Sequence, residues 1–253
     1  MFRPRVIPVL LLKNMGLVKS IKFKNHNYIG DPINAVKIFN DLNADELVFL
    51  DILASKENRT ISIDFIKNVG DEANMPFAVG GGIRSIQKIK EIINAGAEKV
   101  ILNTYAIENP RFVEEASKLF GSSTISICID INKKKFRHRQ IYSHSGTRSS
   151  GIDPVDFAKL MEEMGAGEII VQSIEYDGTM AGYDVELIYN ISKEVSIPVV
   201  ALGGAGTIDE LRKGVLNGRA SAVAAGSMFV YHGPRKAVLI NYPTQEELNQ
   251  LFI

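Results

Sequence analysis

Short apolar runs alternate with amphipathic helical patterns eight times along the 253 residues, and no linker rich in Pro, Gly or Ser interrupts them. Near-continuous apolar runs are typical of parallel strands that are covered on both faces. Eight strand–helix units favour a closed (β/α)8 TIM barrel, an α/β fold, as one domain over residues 1–253; a doubly wound open sheet is the alternative. We predict strands at 5–12, 46–51, 76–80, 99–103, 123–130, 168–173, 198–202 and 221–226, and helices at 31–43, 58–70, 85–95, 109–119, 153–165, 183–194, 207–217 and 244–251.

An internal repeat supports the barrel. The segments 76–85 and 198–207 each run from an apolar strand into a glycine pair, then to a hydroxyl residue suited to cap a helix, then into the helix. The pairs are Gly81-Gly82 and Gly203-Gly204. We interpret the chain as two similar half-barrels.

The repeated glycine pairs are candidate phosphate sites. Glycine lets an anion approach the backbone N–H groups, and a helix N-terminus adds partial positive charge. Asn103 and Thr104 could complete the first site, and Gly226 and Ser227 the second. Alternatively, the glycines only make tight turns. Two sites on opposite sides of one barrel predict a ligand with a phosphate at each end.

Three aspartates follow predicted strands on the face where barrel enzymes place their catalytic groups: Asp51, Asp130 and Asp177. With a period of two, Ser126, Cys128 and Asp130 point to one side of the fifth strand. If that side is the interior, Asp130 lies at the top of the lumen. Each aspartate is either a proton-transfer or hydroxyl-binding group, or a structural acceptor for loop N–H groups.

The bulk composition excludes several classes of partner. Lysine plus arginine equals aspartate plus glutamate, at 29 each, so no global field attracts nucleic acid or a membrane. A single cysteine excludes a disulfide framework and a thiol metal site, and the four histidines have no metal spacing. The apolar run 6–12 contains Pro8 and lacks a cleavage site, so it predicts a strand and not a signal peptide. We expect a cytoplasmic protein without a metal or cofactor.

One irregular stretch, 131–152, follows the fifth predicted strand and begins with a basic run. Its length and place predict a long loop with a small hairpin on the catalytic face. The basic run is either part of that face or simply a solvated hairpin.

Several motifs together resemble those of the HisF family, the cyclase subunits of imidazole glycerol phosphate synthase. The resemblance covers the chain from Arg5 to about Phe229. The motifs are Gly30-Asp-Pro, Asp45-Glu-Leu-Val-Phe-Leu-Asp-Ile, Val79-Gly-Gly-Gly-Ile-Arg, Leu102-Asn-Thr, Gly165-Ala-Gly-Glu-Ile, Asp177-Gly-Thr followed by Gly182-Tyr-Asp, and Gly203-Gly-Ala-Gly.

The resemblance implies a partner and a reaction. In the family, a HisH-type glutaminase docks on the N-terminal face of the barrel, and its ammonia passes through the lumen to react with a bis-phosphorylated ribulosyl substrate. The implied phosphate-binding residues are Gly82, Asn103, Thr104, Asp177, Gly178, Gly204 and Ser227. The implied ammonia gate consists of Arg5, Glu46, Lys99 and Glu168, and Lys19 and Asp51 are further residues of the lumen.

The chain departs from the family at its catalytic pair. The family uses two aspartates as acid and base; one is Asp130, but the other falls on Leu11, which can neither give nor take a proton. Asn14 also replaces an acid, while Lys19 is retained. This combination, with the segments 8–14, 224–234 and 238–243, resembles a HisF-like branch associated with acetamidino modification of surface sugars.

Three functions remain open on the sequence. The chain is an ammonia-conducting subunit that serves a separate sugar amidotransferase, an ordinary histidine-pathway cyclase that tolerates Leu11, or a relative with another phosphorylated substrate, such as an isomerase. Leu11 counts against the second, and the gate residues count against the third.

Overall fold

The computed structural model describes residues 3–133 and 138–252. The strands are β1 (Arg5–Lys13), β2 (Gly16–Ile21), β3 (Lys24–Gly30), β4 (Leu47–Asp51), β5 (Phe77–Gly80), β6 (Lys99–Leu102), β7 (Ile125–Lys133), β8 (Arg139–Ser143), β9 (Arg148–Ser149), β10 (Glu168–Ser173), β11 (Val199–Leu202), β12 (Ala222–Ala225), β13 (Tyr231–His232) and β14 (Ala237–Val238). The α-helices are α1 (Pro32–Asp41), α2 (Ile63–Glu72), α3 (Ile86–Asn94), α4 (Thr104–Glu108), α5 (Pro110–Phe120), α6 (Pro154–Glu163), α7 (Val185–Ser192), α8 (Ile208–Leu216) and α9 (Gln245–Leu251).

Eight parallel strands close into a barrel. Around it the strands run in the order β10, β11, β12, β1, β4, β5, β6 and β7, and β7 pairs with β10 to complete the ring. Helices surround this ring, as the sequence predicts for a (β/α)8 barrel. The closed ring excludes the doubly wound alternative, since an open sheet would leave two strand edges unpaired.

The apolar strands serve two cores, which explains why they read as continuous hydrophobic runs. The outer core lies between strands and helices and contains the fully buried rings of Phe39, Phe49 and Phe157. The inner core fills the barrel lumen with side chains that alternate with the outer set along each strand. Its members are Ile7, Val9, Val48, Ala78, Ile101, Cys128, Ile170, Val200, Leu202, Ala222 and Ala224, with Leu11 and Leu50 packed against them.

Helix starts follow the capping signals in the sequence. Asp31 and Asp153 accept backbone N–H bonds at the starts of α1 and α6, and a proline follows each. The prediction for 58–70 was wrong at its start, because Ser62 caps α2 and the helix begins at Ile63. The preceding residues form a loop in which the Arg59 guanidinium binds Asp51.

Two hairpins extend the barrel on its carboxyl-terminal face. The predicted hairpin in 131–152 is present, with β8 pairing antiparallel to the end of β7. Within its basic run, residues 134–137 lie outside the described residues; Arg139 binds Asp184 and Glu186. The second hairpin, β2–β3, was not predicted, because β3 is mostly exposed and shows no apolar alternation.

The glycine pairs of the repeat make close backbone contacts. A Cβ on Gly82 (φ +63°) would lie 1.8 Å from the carbonyl oxygen of Arg59. A Cβ on Gly204 (φ +116°) would lie 2.1 Å from the carbonyl oxygen of Gly182. Both positions therefore require glycine for packing as well as for conformation, which agrees with the tight-turn interpretation and leaves anion binding as a separate question.

Among the described helices, none is both long and apolar enough to cross a membrane.

We predict that Gly82→Ala destabilises the barrel far more than Gly151→Ala does. Gly151 has a comparable φ of +79° but open space around its Cβ position, so its substitution carries only the left-handed cost of about 1–2 kcal/mol. Gly82→Ala must also displace the Arg59 loop, so we expect it to lower the free energy of unfolding by at least about 3 kcal/mol in total. Urea unfolding midpoints measure the difference, and equal losses in the two variants would contradict the packing argument.

Candidate active site and barrel lumen

A pocket with about 160 Å³ of free volume lies at the carboxyl ends of the barrel strands. Loops after several strands and the β2–β3 hairpin form its walls. It brings together every residue that the sequence placed at this end of the barrel: Leu11, Lys19, Asp51, Gly82, Asn103, Thr104, Asp130, Asp177, Gly178, Gly204 and Ser227.

The first predicted phosphate site is preorganised by its own hydrogen bonds. Asn103 Nδ2 donates to the carbonyl oxygen of Cys128 at 2.9 Å, and the Thr104 hydroxyl donates to Asn103 Oδ1 at 3.3 Å. The Thr104 oxygen also accepts from the backbone N–H of His144 at 3.0 Å. These contacts fix both side chains at the wall of the pocket, beside Gly82.

The turn between β8 and β9 crosses the mouth of the pocket. Besides the bond from His144 to Thr104, Ser145 Oγ donates to the carbonyl oxygen of Ile52 at 2.8 Å. A Cβ on Gly146 would meet the ring of Phe23 at 2.9 Å. The sequence placed a hairpin on this face but gave no signal for these three contacts.

At the second predicted phosphate site, Asp177 is held by protein donors. Ser20 Oγ donates to Oδ2 at 3.0 Å, the N–H of Phe23 at 3.4 Å, and Gln172 Nε2 donates to Oδ1 at 3.2 Å. Burial raises the pKa of Asp177 despite these bonds and the nearby charge of Lys19. Asp177 therefore joins the β2–β3 hairpin to the barrel, in agreement with the structural-acceptor interpretation.

Asp51 also acts as an acceptor for its own loop. Its Oδ1 receives the N–H groups of Leu53 at 3.1 Å and Ala54 at 3.2 Å, and Arg59 pairs with both of its oxygens. The carboxylate lines the pocket, but its hydrogen bonds hold the loop after β4 in place.

Asp130 is the predicted catalytic carboxylate, and it points inward as the period of two requires. It is 8 % exposed and lies 3.6 Å from the Cys128 sulfur. Burial raises the pKa of Asp130 to about 7, the Cys128 contact opposes this, and the charge of Asp177 adds to it. A carboxyl group with this pKa exchanges protons at neutral pH.

Leu11 occupies the lumen side of β1. It pairs with Leu50 of β4, and both side chains pack against the inner core at the base of the pocket. Near it, Lys19 is buried and donates to the carbonyl oxygen of Val9. Burial lowers the pKa of Lys19 to about 8, against the opposing effect of Asp177.

The four predicted gate residues meet at the opposite end of the lumen. Arg5 pairs with both Glu46 and Glu168, and Lys99 Nζ lies 3.0 Å from a Glu46 oxygen and 3.6 Å from a Glu168 oxygen. Burial disfavours the charge on Arg5, but Glu168 and Glu46 outweigh it and raise the pKa of Arg5. The two carboxylates are buried and the arginine faces outward, so the ring closes the floor of the barrel.

Between floor and pocket, β7 and β10 form a ladder of three inward-facing pairs. At the bottom, Ser126 Oγ donates to Glu168 Oε1 at 3.1 Å. Cys128 faces Ile170 in the middle, and Asp130 faces Gln172 at the top. The wall is therefore polar at each end and apolar between.

A small cavity of about 10 Å³ lies inside the lumen, a volume suited to roughly one water-sized molecule. It touches Glu46 and Glu168 at the floor. At its upper end it shares five lining residues with the pocket: Val9, Leu50, Ile101, Cys128 and Leu202. One apolar layer thus separates the cavity from the pocket.

Gln172 is a pocket residue that the sequence reasoning missed. It is 4 % exposed, and its Oε1 has no hydrogen-bond partner among the described residues. Its signal was available, since Glu168, Ile170 and Gln172 share one face of a strand by the same period of two that located Asp130. In the described part of the chain, no group of His, Cys, Asp or Glu is arranged to hold a metal ion.

The Histidine biosynthesis protein family model matches residues 5–234. The chain belongs to this family. A Leptospira interrogans protein named "Putative imidazole glycerol phosphate synthase subunit HisF" is 43 % identical over 253 residues, the full length of both chains. A similarly named hisF2 subunit of Pseudomonas aeruginosa is 43 % identical over 249 residues, covering 98 % of this chain and 99 % of that protein. A hisF3 subunit of Vibrio vulnificus is 41 % identical over 248 residues, covering 98 % and 95 %.

For this HisF-family barrel we predict a pH-dependent stability effect at Asp130. Its pKa is about 7 in the folded chain and roughly 3.9 when unfolded. Between these two pH values the Asp130 carboxyl group is protonated in the folded chain but ionised in the unfolded chain. The stability that this proton contributes is therefore fully present below about pH 4 and is lost as the pH rises to 7. Asp130→Asn cannot ionise and should gain stability relative to the unmodified chain between pH 5 and pH 8, by up to roughly 4 kcal/mol for a three-unit shift.

Thermal melts of both proteins across this pH range measure the effect. Asp64→Asn, at an exposed position in the first turn of α2, controls for loss of one negative charge. A melting difference for Asp130→Asn that stays constant from pH 5 to pH 8 would contradict the assignment of the raised pKa to this carboxyl group.

Proposed function

We propose that this HisF-family chain is a synthase subunit that receives ammonia from a HisH-type glutaminase on the amino-terminal face of the barrel and delivers it to the pocket. The observation that carries the proposal is the lumen itself. A charged floor, an apolar layer and a polar pocket follow one another along the same three pairs of β7 and β10.

The apolar layer favours neutral ammonia over ammonium as the molecule that passes through the lumen. Moving an unpaired ion into such surroundings costs many kcal/mol, whereas neutral ammonia needs only room and an occasional partner. The lumen cavity of about 10 Å³ gives room for one small molecule. Ammonium would have to lose its proton below, among the carboxylates of the floor.

The floor supports control by a partner. Each carboxylate of Glu46 and Glu168 has two cationic neighbours, Arg5 and Lys99, so breaking one pair leaves the other in place. Arg5 is the most exposed of the four, with 35 % of its side chain accessible. A protein bound below the barrel would contact Arg5 first and could shift it without unpairing the buried acids.

The chemistry at the pocket favours delivery over cyclisation. With Leu11 at the end of β1, Asp130 has no second carboxylate in the position that the family uses, and the loss of a positioned acid or base typically costs about 10²–10⁴ in rate. Asp51 and Asp177, the other pocket aspartates, are bonded to protein donors. No described aspartate therefore takes over the missing role.

We further propose that the ammonia supports acetamidino-sugar biosynthesis through a separate sugar amidotransferase, as an interpretation of Leu11 and of the resemblance to that branch. The alternative is an imidazole glycerol phosphate synthase cyclase of histidine biosynthesis. The assembled phosphate sites favour that alternative, because Gly82, Thr104, Gly204 and Ser227 still line one pocket.

A cyclisation assay separates the two functions. With ammonium salts and the bis-phosphorylated ribulosyl substrate, we expect no detectable imidazole glycerol phosphate, because Leu11 cannot transfer a proton. Leu11→Asp should gain measurable turnover, while Leu11→Asn, a polar variant without an ionisable group, should not. Turnover by the unmodified chain at the rate of an ordinary cyclase would contradict the delivery function.

A glutaminase assay tests the partner. We expect a HisH-type glutaminase from the same organism to co-purify with the chain and to hydrolyse glutamine severalfold faster in the complex. Arg5→Ala should reduce this stimulation, because it opens the floor at its outermost residue. Arg3→Ala is the matched control, since Arg3 pairs with Asp45 on the same face but outside the gate. If no complex forms, or if both variants behave alike, the proposed gate is wrong.

A further inference from the structure

The carbonyl group of Gln172 is an unused acceptor in the wall of the pocket. The residue is 4 % exposed and lines the pocket, and its Oε1 accepts no hydrogen bond from the described residues. A buried acceptor left unsatisfied destabilises the folded state. A fold retains such a group most readily where a ligand can satisfy it.

The orientation of this amide follows from its other contact. Gln172 Nε2 donates to Asp177 Oδ1 at 3.2 Å. Rotating the amide by 180° would set its oxygen against the carboxylate oxygen, two acceptors facing each other. The nitrogen is therefore directed to Asp177, and the oxygen is the buried atom left without a partner among the described residues.

A second acceptor lies next to it. Gln172 is the register partner of Asp130 on the adjoining strand, at the top pair of the ladder. Below them the lumen is apolar, formed by Cys128 and Ile170 at the next pair. Two oxygen acceptors thus stand where the apolar lumen ends and the pocket begins.

This pair of acceptors selects the chemistry of its ligand. Phosphate oxygens are acceptors themselves and gain nothing from Gln172 Oε1 or from an ionised Asp130. A group with several N–H bonds is complementary to both. Ammonia has three, and it is small enough for a lumen cavity of about 10 Å³.

We propose that Gln172 Oε1 and the Asp130 carboxyl group form an ammonia-binding site at the upper end of the lumen. The proposal rests on the proposed function, because ammonia must reach this point through the barrel. The site holds the nitrogen at the exit of the apolar layer until the acceptor is in place. Gln172 is then a binding residue for the transferred nitrogen and not only an anchor for Asp177.

The test is a titration of the ¹⁵N-labelled chain with ammonium chloride at pH 9, followed through the side-chain amide signals of glutamine. We expect the Gln172 amide pair to shift and to saturate, and sodium chloride at the same ionic strength to leave it unchanged. Gln87 and Gln250, which are exposed, are internal controls in the same spectra. The Gln172 signals are identified by their loss in Gln172→Met or, if that variant does not fold, in Gln172→Glu.

A parallel titration with acetamidine separates ammonia from a nitrogen group that enters with a ligand through the mouth. Saturation by ammonium chloride at a lower concentration than by acetamidine supports the ammonia site. No shift with ammonium chloride, an equal shift of the exposed glutamines, or a shift with acetamidine alone overturns it.

Failure of the proposed ammonia site can be distinguished from failure of the proposed delivery of ammonia by a glutaminase. A saturable Gln172 shift without any glutaminase stimulation would contradict the proposed delivery of ammonia from a glutaminase and would support the ammonia site. Stimulation of a glutaminase without a Gln172 shift would contradict the ammonia site and would support the proposed delivery of ammonia through the lumen.

Discussion

The closing pairing of the barrel, between β7 and β10, is the constraint on which the rest of the structure depends. It completes the ring of eight strands and fixes which side chains meet across the lumen wall. Because side chains alternate along a strand, a slip of one residue would turn Glu168 and Gln172 outward into the helical layer and bring apolar neighbours to the floor. Floor, apolar layer and pocket are therefore consequences of one register.

The charged floor of the lumen is compatible with the apolar layer above it because its charges are paired. Buried charges are tolerated only when paired, and Glu46 and Glu168 meet this condition through two cations each. Above them the lumen is apolar apart from the Ser126 hydroxyl, which donates to Glu168 Oε1, so the four charges are directed chiefly to one another and the ring closes on itself.

Much of the fold could be predicted from the sequence, because local signals and tertiary structure agree there. Apolar runs marked the barrel strands, and the caps at Asp31 and Asp153 marked helix starts within one residue. What could not be predicted depended on contacts distant in sequence. In the β2–β3 hairpin, β3 is polar and mostly exposed, and the hairpin is held by Asp177, more than a hundred residues away. The ion pair between Asp51 and Arg59, which holds the loop after β4, likewise has no signal in the local sequence.

The same distinction applies to the candidate site. Every predicted pocket residue reached the pocket, since strand ends and glycine turns are local features. The roles of those residues could not be predicted, because hydrogen bonds decide them. The strand end and the period of two together placed Asp130 in the lumen, whereas Gln172, on the same face of the next barrel strand, was not predicted because an amide carries no charge. Its oxygen, which has no partner among the described residues, distinguishes it.

Under the proposed delivery of ammonia, Leu11 and the protonation of Asp130 together decide what the pocket can do with it. Burial holds the pKa of Asp130 at about 7, so near neutral pH the group is about half protonated. A protonated Asp130 would convert arriving ammonia to ammonium, which has no lone pair for attack, whereas the ionised form only accepts a hydrogen bond. An aspartate at position 11 would add negative charge nearby and favour the protonated form further. Leucine there keeps more of Asp130 ionised and so, in the proposed function, preserves ammonia as a nucleophile.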